Sequence, residues 1–312
     1  MNQKRIALLF SGQGAQTVGM GRDLADTFPS AAALFQQADA LLGYSLSQIA
    51  WEGPEAVLTE TRHCQPALYV HGLACLEAVR SLVGPFAFHA VAGLSLGEFT
   101  AHAAAGTYGF ETGLRLVSQR GTFMQEACEA TAGAMAAMIG GEESAVVQLA
   151  GECGVDVANF NCPGQLVISG ETEGVARAVA LAKERGIRMA KPLNVAGAYH
   201  SRLMQSAAAK LGAVLAVAEL AAPACVVYCN VDAAPVSGAD AIRSTLERQV
   251  TGSVRWTQTL ERLLDVERCD LFLELGPGGV LAGLLGRTRK GVPCVSVSDT
   301  ASVAAAAELL RG

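Results

Sequence analysis

Short apolar runs alternate with longer amphipathic stretches along most of the chain. The apolar runs span residues 5–10, 87–92, 225–230, 271–275 and 292–297, and each has the length of a buried strand. Helix-length stretches occur at 31–42, 67–83, 98–105, 111–130, 201–217, 239–250, 256–264, 280–287 and 301–310. Strands that are apolar throughout and separated by helices are typical of a parallel sheet covered on both faces. The pattern therefore predicts an α/β fold.

The pattern changes over residues 131–196. Strands are predicted at 134–139, 155–161, 165–170 and 187–195, and helices at 142–153 and 172–185. This β-α-β-β-α-β order is that of the split βαβ, or ferredoxin-like, motif. We therefore expect residues 131–196 to form a small ferredoxin-like α+β subdomain, inserted into a large domain that comprises residues 1–130 and 197–312.

Composition and charge narrow the class of protein. Of the 312 residues, 51% are hydrophobic and 17% are charged, which excludes a disordered chain. The first apolar run, at 6–10, is too short for a secretory signal, and no run approaches the roughly 18 apolar residues of a membrane span. We therefore expect a cytoplasmic protein. The net charge is −6, and no basic tract of the kind that binds nucleic acid is present.

The nine cysteines are scattered along the chain. They form no C-x-x-C pair and no Cys/His cluster at zinc spacing, so neither a metal site nor a redox motif is expected. Free cysteine is readily buried. We interpret these residues as reduced core thiols.

A G-x-S-x-G motif lies where a predicted strand meets the next helix. Residues 93–97 (GLSLG) follow the strand at 87–92 and precede the helix at 98–105. Strand, motif and helix in this order form the context of a nucleophile elbow, in which a strained turn presents the serine at the sheet edge of α/β-hydrolase-like folds. The motif predicts that Ser95 is a nucleophile and that the N–H of Leu96 forms half of an oxyanion hole.

A nucleophilic serine needs a base within hydrogen-bonding reach. Of the five histidines, His200 is the best candidate because it lies at the junction of a loop and a predicted helix, whereas His89 lies on a predicted buried strand. The alternative for His200 is a buried polar residue with no catalytic role.

Arg120 lies on the apolar stripe of the helix predicted at 111–130. It is four residues from both Leu116 and Met124, so the three side chains share one face, and Arg120 is predicted to point inward. A buried guanidinium without an anion is costly. Its partner is therefore either a protein carboxylate or the carboxylate of a ligand, and the stripe alone leaves both open.

Further motifs surround these residues in a fixed order. They are residues 11–16 (SGQGAQ), 93–97 (GLSLG), 119–121 (QRG), 124–125 (MQ), 159–161 (NFN), 198–201 (AYHS) and 274–278 (ELGPG). In this order they resemble the motifs of malonyl-CoA:acyl-carrier-protein transacylases. The resemblance covers nearly the whole chain, including the inserted segment.

The resemblance implies an [acyl-carrier-protein] S-malonyltransferase of fatty acid biosynthesis with a ping-pong mechanism. Ser95 would take a malonyl group from malonyl-CoA and pass it to the phosphopantetheine thiol of a holo acyl carrier protein. His200 would act as base and then acid, oriented by the main-chain carbonyl of Gln249. The N–H groups of Gln13 and Leu96 would form the oxyanion hole. No cofactor of the enzyme itself is implied, because the partner carries the phosphopantetheine.

The resemblance also implies how the acyl group is bound. Arg120 would pair with the malonyl carboxylate, and the other residues in contact with the substrate would be Met124, Asn161 and Tyr199. The family commonly has a histidine before the nucleophile, where this chain has Leu94, and the change removes a polar group beside Ser95. Tyr199 favours malonyl over methylmalonyl only weakly, because one methyl group is worth about 1–3 kcal/mol of discrimination.

The carrier protein would be acidic, so docking on this acidic chain would need a local basic patch. The candidates are Arg188, Lys191, Arg287, Arg289 and Lys290. The alternative is that these are ordinary solvated surface charges. The protein is expected to be a monomer.

Other functions are consistent with parts of the sequence. One is a transacylase of a specialised pathway, either a free-standing acyltransferase of polyketide synthesis or the transacylase of malonate decarboxylase. A second is a serine esterase or thioesterase, since Ser95, Asp156 and His200 occur in the order of an α/β-hydrolase triad. A third is a carrier-binding subunit without catalytic activity.

Overall fold

A computed structural model of the chain describes residues 4–311. Its ten strands are β1 (Ile6–Phe10), β2 (Ala90–Gly93), β3 (Gly133–Ile139), β4 (Asp156–Cys162), β5 (Gln165–Glu171), β6 (Met189–Pro192), β7 (Val226–Cys229), β8 (Ala234–Pro235), β9 (Leu271–Leu275) and β10 (Cys294–Val297). They form one six-stranded sheet and one four-stranded sheet.

Fourteen α-helices connect these strands in the described part of the chain. The first seven are α1 (Arg22–Thr27), α2 (Pro29–Leu42), α3 (Leu46–Glu52), α4 (Glu55–Thr59), α5 (Thr61–Val83), α6 (Leu96–Ala104) and α7 (Phe110–Ala130). The rest are α8 (Glu143–Cys153), α9 (Thr172–Leu181), α10 (Gln205–Val217), α11 (Ala239–Gln249), α12 (Trp256–Asp265), α13 (Val280–Thr288) and α14 (Thr300–Arg311). Two short 3₁₀ segments, Ala182–Arg185 and Arg202–Met204, precede β6 and α10.

The six-stranded sheet has the order β10-β9-β1-β2-β7-β8, and its first five strands are mutually parallel. Alternate residues of β1 pack on opposite faces: Leu8 joins the core that contains α5, and Leu9 joins the core that contains Trp256 of α12. Both faces are therefore covered, as the continuous apolar strands predict. The carboxyl ends of β1, β2 and β7 meet at one edge, where ligands bind in open parallel sheets.

The four-stranded sheet has the order β4-β5-β3-β6, and each neighbouring pair is antiparallel. Strands β3 and β4 therefore run in the same direction with β5 between them, which is the split βαβ arrangement. Helices α8 and α9 cover one face and form a core of their own with it. These elements occur in the order predicted from the sequence, and the division of the chain into two domains at residues 131 and 196 stays a prediction.

Several element boundaries differ from those predicted. The strand predicted at 87–92 begins only at Ala90, since β1 starts at Ile6 and residues 87–88 have no strand opposite them. The strand predicted at 187–195 is limited to Met189–Pro192, because the chain then leaves the sheet edge. Helix α5 begins at Thr61, six residues before the predicted start, and Pro66 lies inside it.

The early start of α5 depends on a distant residue. The N–H of Thr61, which has no acceptor within the helix, donates to Oε1 of Gln125 on α7 at 3.2 Å. A cap from 64 positions away leaves no local sequence signal.

Within the described residues, no helix is long and apolar enough to span a bilayer.

Candidate active site

Ser95 lies in the turn between β2 and α6, at the carboxyl edge of the parallel sheet. Its φ is 53° and its ψ is −106°, a strained conformation for a residue with a side chain. The turn is tight because α6 starts against β1: a Cβ at Gly97 would overlap the carbonyl oxygen of Phe10, so only glycine fits there. The predicted elbow geometry is therefore present, and the Ser95 side chain lines a cavity.

Asn230, directly after β7, holds this strained turn. Its side-chain Oδ1 accepts a hydrogen bond from the N–H of Ser95 at 2.7 Å, and its Nδ2 donates to the carbonyl of Gly93 at 2.8 Å. Asn230 is fully buried, so both bonds are shielded from water and an unmade bond here would be costly. One amide thus satisfies backbone groups on both sides of the turn.

His200 is within hydrogen-bonding distance of the Ser95 hydroxyl. Its Nε2 lies 2.7 Å from Oγ, while its Nδ1 lies 2.8 Å from the carbonyl oxygen of Gln249 and 3.2 Å from that of Gly252. Carbonyl oxygens only accept hydrogen bonds. Nδ1 therefore carries the proton, Nε2 is the acceptor, and the Ser95 hydroxyl donates to it.

The loop that carries His200 is fixed by its neighbour. The Ser201 hydroxyl donates to the carbonyl of Ala198 at 2.6 Å and accepts from the N–H of Leu203 at 3.3 Å. Burial, and next the charge of Arg120, lower the pKa of His200 to about 4. The imidazole is therefore neutral at pH 7, which is the form that can take a proton from Ser95.

The alternative in which Asp156 completes a Ser-His-Asp triad is wrong. Asp156 Oδ2 accepts from the N–H of Arg202 at 3.1 Å, and this carboxylate lies 3.6 Å from the Arg202 guanidinium. The Nδ1 of His200, where a triad acid would bind, is instead occupied by two main-chain carbonyls. Main-chain groups therefore orient this histidine.

Arg120 reaches the same point from α7. It is 1% exposed, as the apolar stripe predicts. Nη1 donates to Oε1 of Gln65 at 2.7 Å, and Nη2 donates to Oε1 of Gln249 at 2.9 Å and to Oγ of Ser95 at 3.1 Å. Among residues 4–311 no carboxylate forms a salt bridge with it, and its Nε has no hydrogen-bond partner. The alternative of a direct protein ion pair for Arg120 is therefore wrong.

The Arg120 guanidinium remains charged despite its burial. Burial lowers its pKa to about 10, which is still well above neutral. Its central carbon lies 5.3 Å over the ring of Phe99, and a cation over an aromatic face is stabilised. The result is a buried cation beside the nucleophile, available to an anionic ligand group.

A cavity of about 490 Å³ opens in front of Ser95, within the usual size of a small-molecule site. The predicted contact residues Met124, Asn161 and Tyr199 line it, as does Gln13. The Tyr199 hydroxyl hydrogen-bonds to Thr61 Oγ1, and Gln13 Nε2 donates to it at 3.3 Å. Within the described residues the buried Oδ1 of Asn161 has no partner, so it can accept a hydrogen bond from a ligand.

The two N–H groups predicted for the oxyanion hole belong to Leu96, directly after Ser95, and to Gln13, in the loop after β1. Leu96 is the first residue of α6, so its N–H has no acceptor inside the helix. The loop after β1 packs against the elbow, since a Cβ at Gly12 would overlap the carbonyl oxygen of Leu94. Gln13, in this loop, lines the same cavity as Ser95.

Comparison with known proteins agrees with this geometry. Residues 7–311 match the acyl transferase domain family. The chain is 39% identical to the malonyl CoA-acyl carrier protein transacylase of Bacillus subtilis, over 98% of each chain. It belongs to this transacylase family.

Solved structures agree as well. The malonyl CoA-acyl carrier protein transacylase of Coxiella burnetii superposes with a TM-score of 0.95 at 34% identity, covering 99% of this chain and 98% of that one. A malonyl-transacylase in complex with a type II PKS acyl-carrier protein superposes with a TM-score of 0.94 at 40% identity, covering 98% and 99%. The family and the α/β fold predicted from the sequence are thereby confirmed.

The sequence analysis missed three buried polar residues of this transacylase site: Gln65, Glu98 and Asn230. Each had a weak signal. Gln65 is a polar residue at the start of an apolar stretch, Glu98 follows the elbow directly, and Asn230 ends a strand. Parallel strands end at one sheet edge, so the position of Asn230 after β7 could have indicated the site.

The five basic residues proposed for docking are all exposed: Arg188, Lys191, Arg287, Arg289 and Lys290. Arg287 also lines the cavity and donates to Oε1 of Gln165 at 2.6 Å. Arg289 is held by Asp265 through two bonds of 2.6 and 2.9 Å. Its charge is therefore largely compensated, unlike that of Arg287.

Proposed function

We propose that this protein transfers a malonyl group from malonyl-CoA to the phosphopantetheine thiol of an acyl carrier protein, through a malonyl ester of Ser95. The observation that carries the proposal is the buried Arg120 guanidinium, 3.1 Å from the Ser95 hydroxyl. In a malonyl ester the free carboxylate lies three bonds from Oγ. An acyl group with this carboxylate can pair with Arg120, while an acetyl group leaves the cation without an anion.

In the first half of the reaction, the Ser95 oxygen attacks the thioester carbonyl and its proton moves to Nε2 of His200. The main-chain carbonyl of Gln249 accepts from the Nδ1–H, which stabilises the imidazolium that results from this transfer. The N–H groups of Gln13 and Leu96 stabilise the oxyanion. The C–S bond then breaks, and the proton on Nε2 passes to the leaving CoA thiolate.

The second half reverses these steps. The phosphopantetheine thiol of the carrier gives its proton to His200 and attacks the malonyl ester. The C–O bond to Ser95 breaks, and the proton returns from Nε2 to Oγ. We propose that no cofactor or metal of the enzyme takes part, since Ser95, His200, the oxyanion-hole N–H groups and the two thiols supply every group that the chemistry needs.

We further propose that the five exposed basic residues, of which Arg287 lines the cavity, bind an acidic carrier. Arg188 packs on Gly140, whose N–H donates to the carbonyl of Gly164. The residue after Gly164 is Gln165, and its side chain accepts a hydrogen bond from Arg287. These contacts support one continuous surface that reaches the cavity. Complementary charge there would accelerate encounter with the carrier.

Charge reversals test this docking surface. Arg188→Glu and Lys290→Glu should raise the KM for the carrier and leave loading from malonyl-CoA unchanged, while Arg115→Glu, on the exposed side of α7, should change neither. Equal effects of all three reversals would contradict the proposal. The monomeric state and the cytoplasmic location expected from the sequence remain predictions.

The pathway has two candidates. Fatty acid synthesis is the one implied by the resemblance, and polyketide synthesis is favoured by one observation, the likeness to a transacylase that acts with a type II PKS carrier. Loading rates with holo carriers of both classes would decide between them. A preference of tenfold or more for one class would identify the pathway.

The transfer itself is tested with protein that has been loaded and freed of CoA. Adding holo carrier should remove the acyl group from the enzyme and add the malonyl mass to the carrier, whereas apo carrier, which lacks the thiol, should leave the enzyme loaded. Release of free malonate with no carrier product would instead show a hydrolase.

A further inference from the structure

Glu98 is a buried carboxylate to which the mechanism assigns no role. It lies in the first turn of α6, three residues after the nucleophile, and is fully buried. Its Oε2 accepts from Nε2 of Gln249 at 2.7 Å and from the N–H of Asn230 at 2.9 Å. Its Oε1 has no hydrogen-bond partner within residues 4–311. Burying a carboxylate costs free energy, so the presence of Glu98 in the site needs an explanation.

The Gln249 side chain connects Glu98 to Arg120. Its Oε1 accepts from Nη2 of Arg120 at 2.9 Å, and its Nε2 donates both to Glu98 and to the carbonyl of Ser95, the latter at 2.9 Å. An amide has one donating and one accepting end. Because the carboxylate and the carbonyl can only accept, they hold the NH₂ end on their side and the oxygen end toward Arg120.

The reverse orientation of the amide would be unfavourable. It would place the Gln249 NH₂ group against the Arg120 guanidinium, which is itself donor-only, and its oxygen against the Glu98 carboxylate. Glu98 and the carbonyl of Ser95 together thus determine which end of the amide Arg120 meets. Burial raises the pKa of Glu98 to about 7, so this carboxyl group is ionised above neutral pH. In that form its negative charge raises the pKa of Arg120, in part against the effect of burial.

We propose that Glu98 is a positioning residue that, through the Gln249 amide, fixes the Arg120 guanidinium for an acyl group bearing a free carboxylate. The inference rests on the proposed malonyl transfer and deepens it. Arg120 needs an acceptor that orients it without neutralising it. A directly bonded carboxylate would compete with the substrate, whereas a glutamine held by Glu98 leaves the Arg120 guanidinium without a directly bonded anion until the ligand binds.

A Glu98→Gln variant tests the proposal because it keeps the shape and one acceptor but removes the charge. Both hydrogen bonds fall on Oε2, so the new amide keeps its oxygen there, but it holds Gln249 less strongly than a carboxylate does because charge-assisted bonds are roughly twice as strong as neutral ones. We expect kcat/KM for loading from malonyl-CoA to fall about tenfold more than that for acetyl-CoA, equivalent to about 1.4 kcal/mol. Glu274→Gln is the matched control. Glu274 is also fully buried, but it accepts hydrogen bonds from the N-terminus of α13. Its replacement should leave the ratio of kcat/KM for malonyl-CoA to that for acetyl-CoA unchanged.

A double-mutant cycle separates this role from a structural one. In an Arg120→Ala background, Glu98→Gln should have no further effect on the malonyl-to-acetyl ratio, because the residue through which it acts is gone. If both acyl-CoAs lose activity equally in the single variant, Glu98 acts on the elbow through Asn230 and the proposal is wrong. An effect of the same size in both backgrounds would also overturn it.

A second variant covers the case in which Glu98→Gln does not fold. Gln249→Met breaks the connection while keeping the main-chain carbonyl that binds His200, and it should lower the malonyl-to-acetyl ratio about tenfold. An unchanged ratio would contradict the proposal. Wild-type protein that forms no malonyl adduct would refute the proposed function itself, whereas normal wild-type loading with an unaltered ratio in the variants would refute only the role of Glu98.

Discussion

Replacing Arg120 with alanine removes the buried cation that faces the nucleophile. In the wild-type protein the guanidinium is 1% exposed, donates to Gln65, Gln249 and the Ser95 hydroxyl, and retains an Nε–H with no partner among the described residues. A malonyl carboxylate would gain a charge-assisted bond in a site shielded from water. The variant would leave that carboxylate buried without its partner.

The size of the effect follows from this burial. Truncating one member of a buried, hydrogen-bonded charge pair costs about 2–5 kcal/mol, so kcat/KM for malonyl-CoA should fall by about 30-fold to several thousand-fold at 1.4 kcal/mol per factor of ten. Acetyl-CoA has no carboxylate to lose. Its kcat/KM should change little, and the malonyl-to-acetyl ratio should fall by the full amount.

Initial rates of enzyme acylation with each acyl-CoA measure this ratio. Arg115→Ala is the control, because Arg115 lies on the same helix, is exposed, and pairs only with Glu111 in the described structure; its ratio should stay at the wild-type value. If Arg120→Ala lowers the two rates by the same factor, or leaves the ratio unaltered, Arg120 does not recognise the carboxylate and the reasoning fails.

Three further predictions concern other parts of the site. The pKa of His200 is lowered to about 4, so the base is neutral above that pH, and kcat/KM for acylation by acetyl-CoA, which does not depend on the link between Glu98 and Arg120, should stay level from pH 7 down to about pH 5 and fall only toward pH 4; an acid limb centred near 6.5 in the pH-rate profile for acetyl-CoA would contradict this. Tyr199→Ser should widen the cavity and raise the methylmalonyl-to-malonyl ratio by about 10-fold or more, as expected for one methyl group, and competition between the two acyl-CoAs measures it, with an unmoved ratio counting against the steric role. Asn230→Ala should destabilise the protein by about 1–3 kcal/mol in denaturant unfolding, because the buried N–H of Ser95 loses its acceptor, and should lower the acylation rate; wild-type values of both would show that Asn230 does not hold the turn.

The local parts of this site could be predicted from the sequence. The elbow depends on five consecutive residues between a strand and a helix, and the inward direction of Arg120 depends on the spacing of a single helix. Each of these features depends only on residues that are close together in the sequence. The large parallel sheet likewise follows from strands that are apolar throughout.

The contacts that join distant segments could not be predicted in this way. Asn230 binds the backbone of Ser95 from 135 positions away, and Gln125 caps α5 from 64 positions away. Glu98 acts on Arg120 only through a third residue. Such partners are set by the packing of the sheet and helices, and hydrophobic periodicity carries no information about which polar side chain meets which backbone group.

The central claim is that Ser95 carries the acyl group, and the intact mass of the protein after brief exposure to malonyl-CoA tests it most directly. The account predicts one added malonyl group on the wild-type protein and none on Ser95→Ala, with both proteins folded to the same thermal stability. A malonyl adduct of equal amount on Ser95→Ala would show that another residue is the nucleophile and would contradict the account.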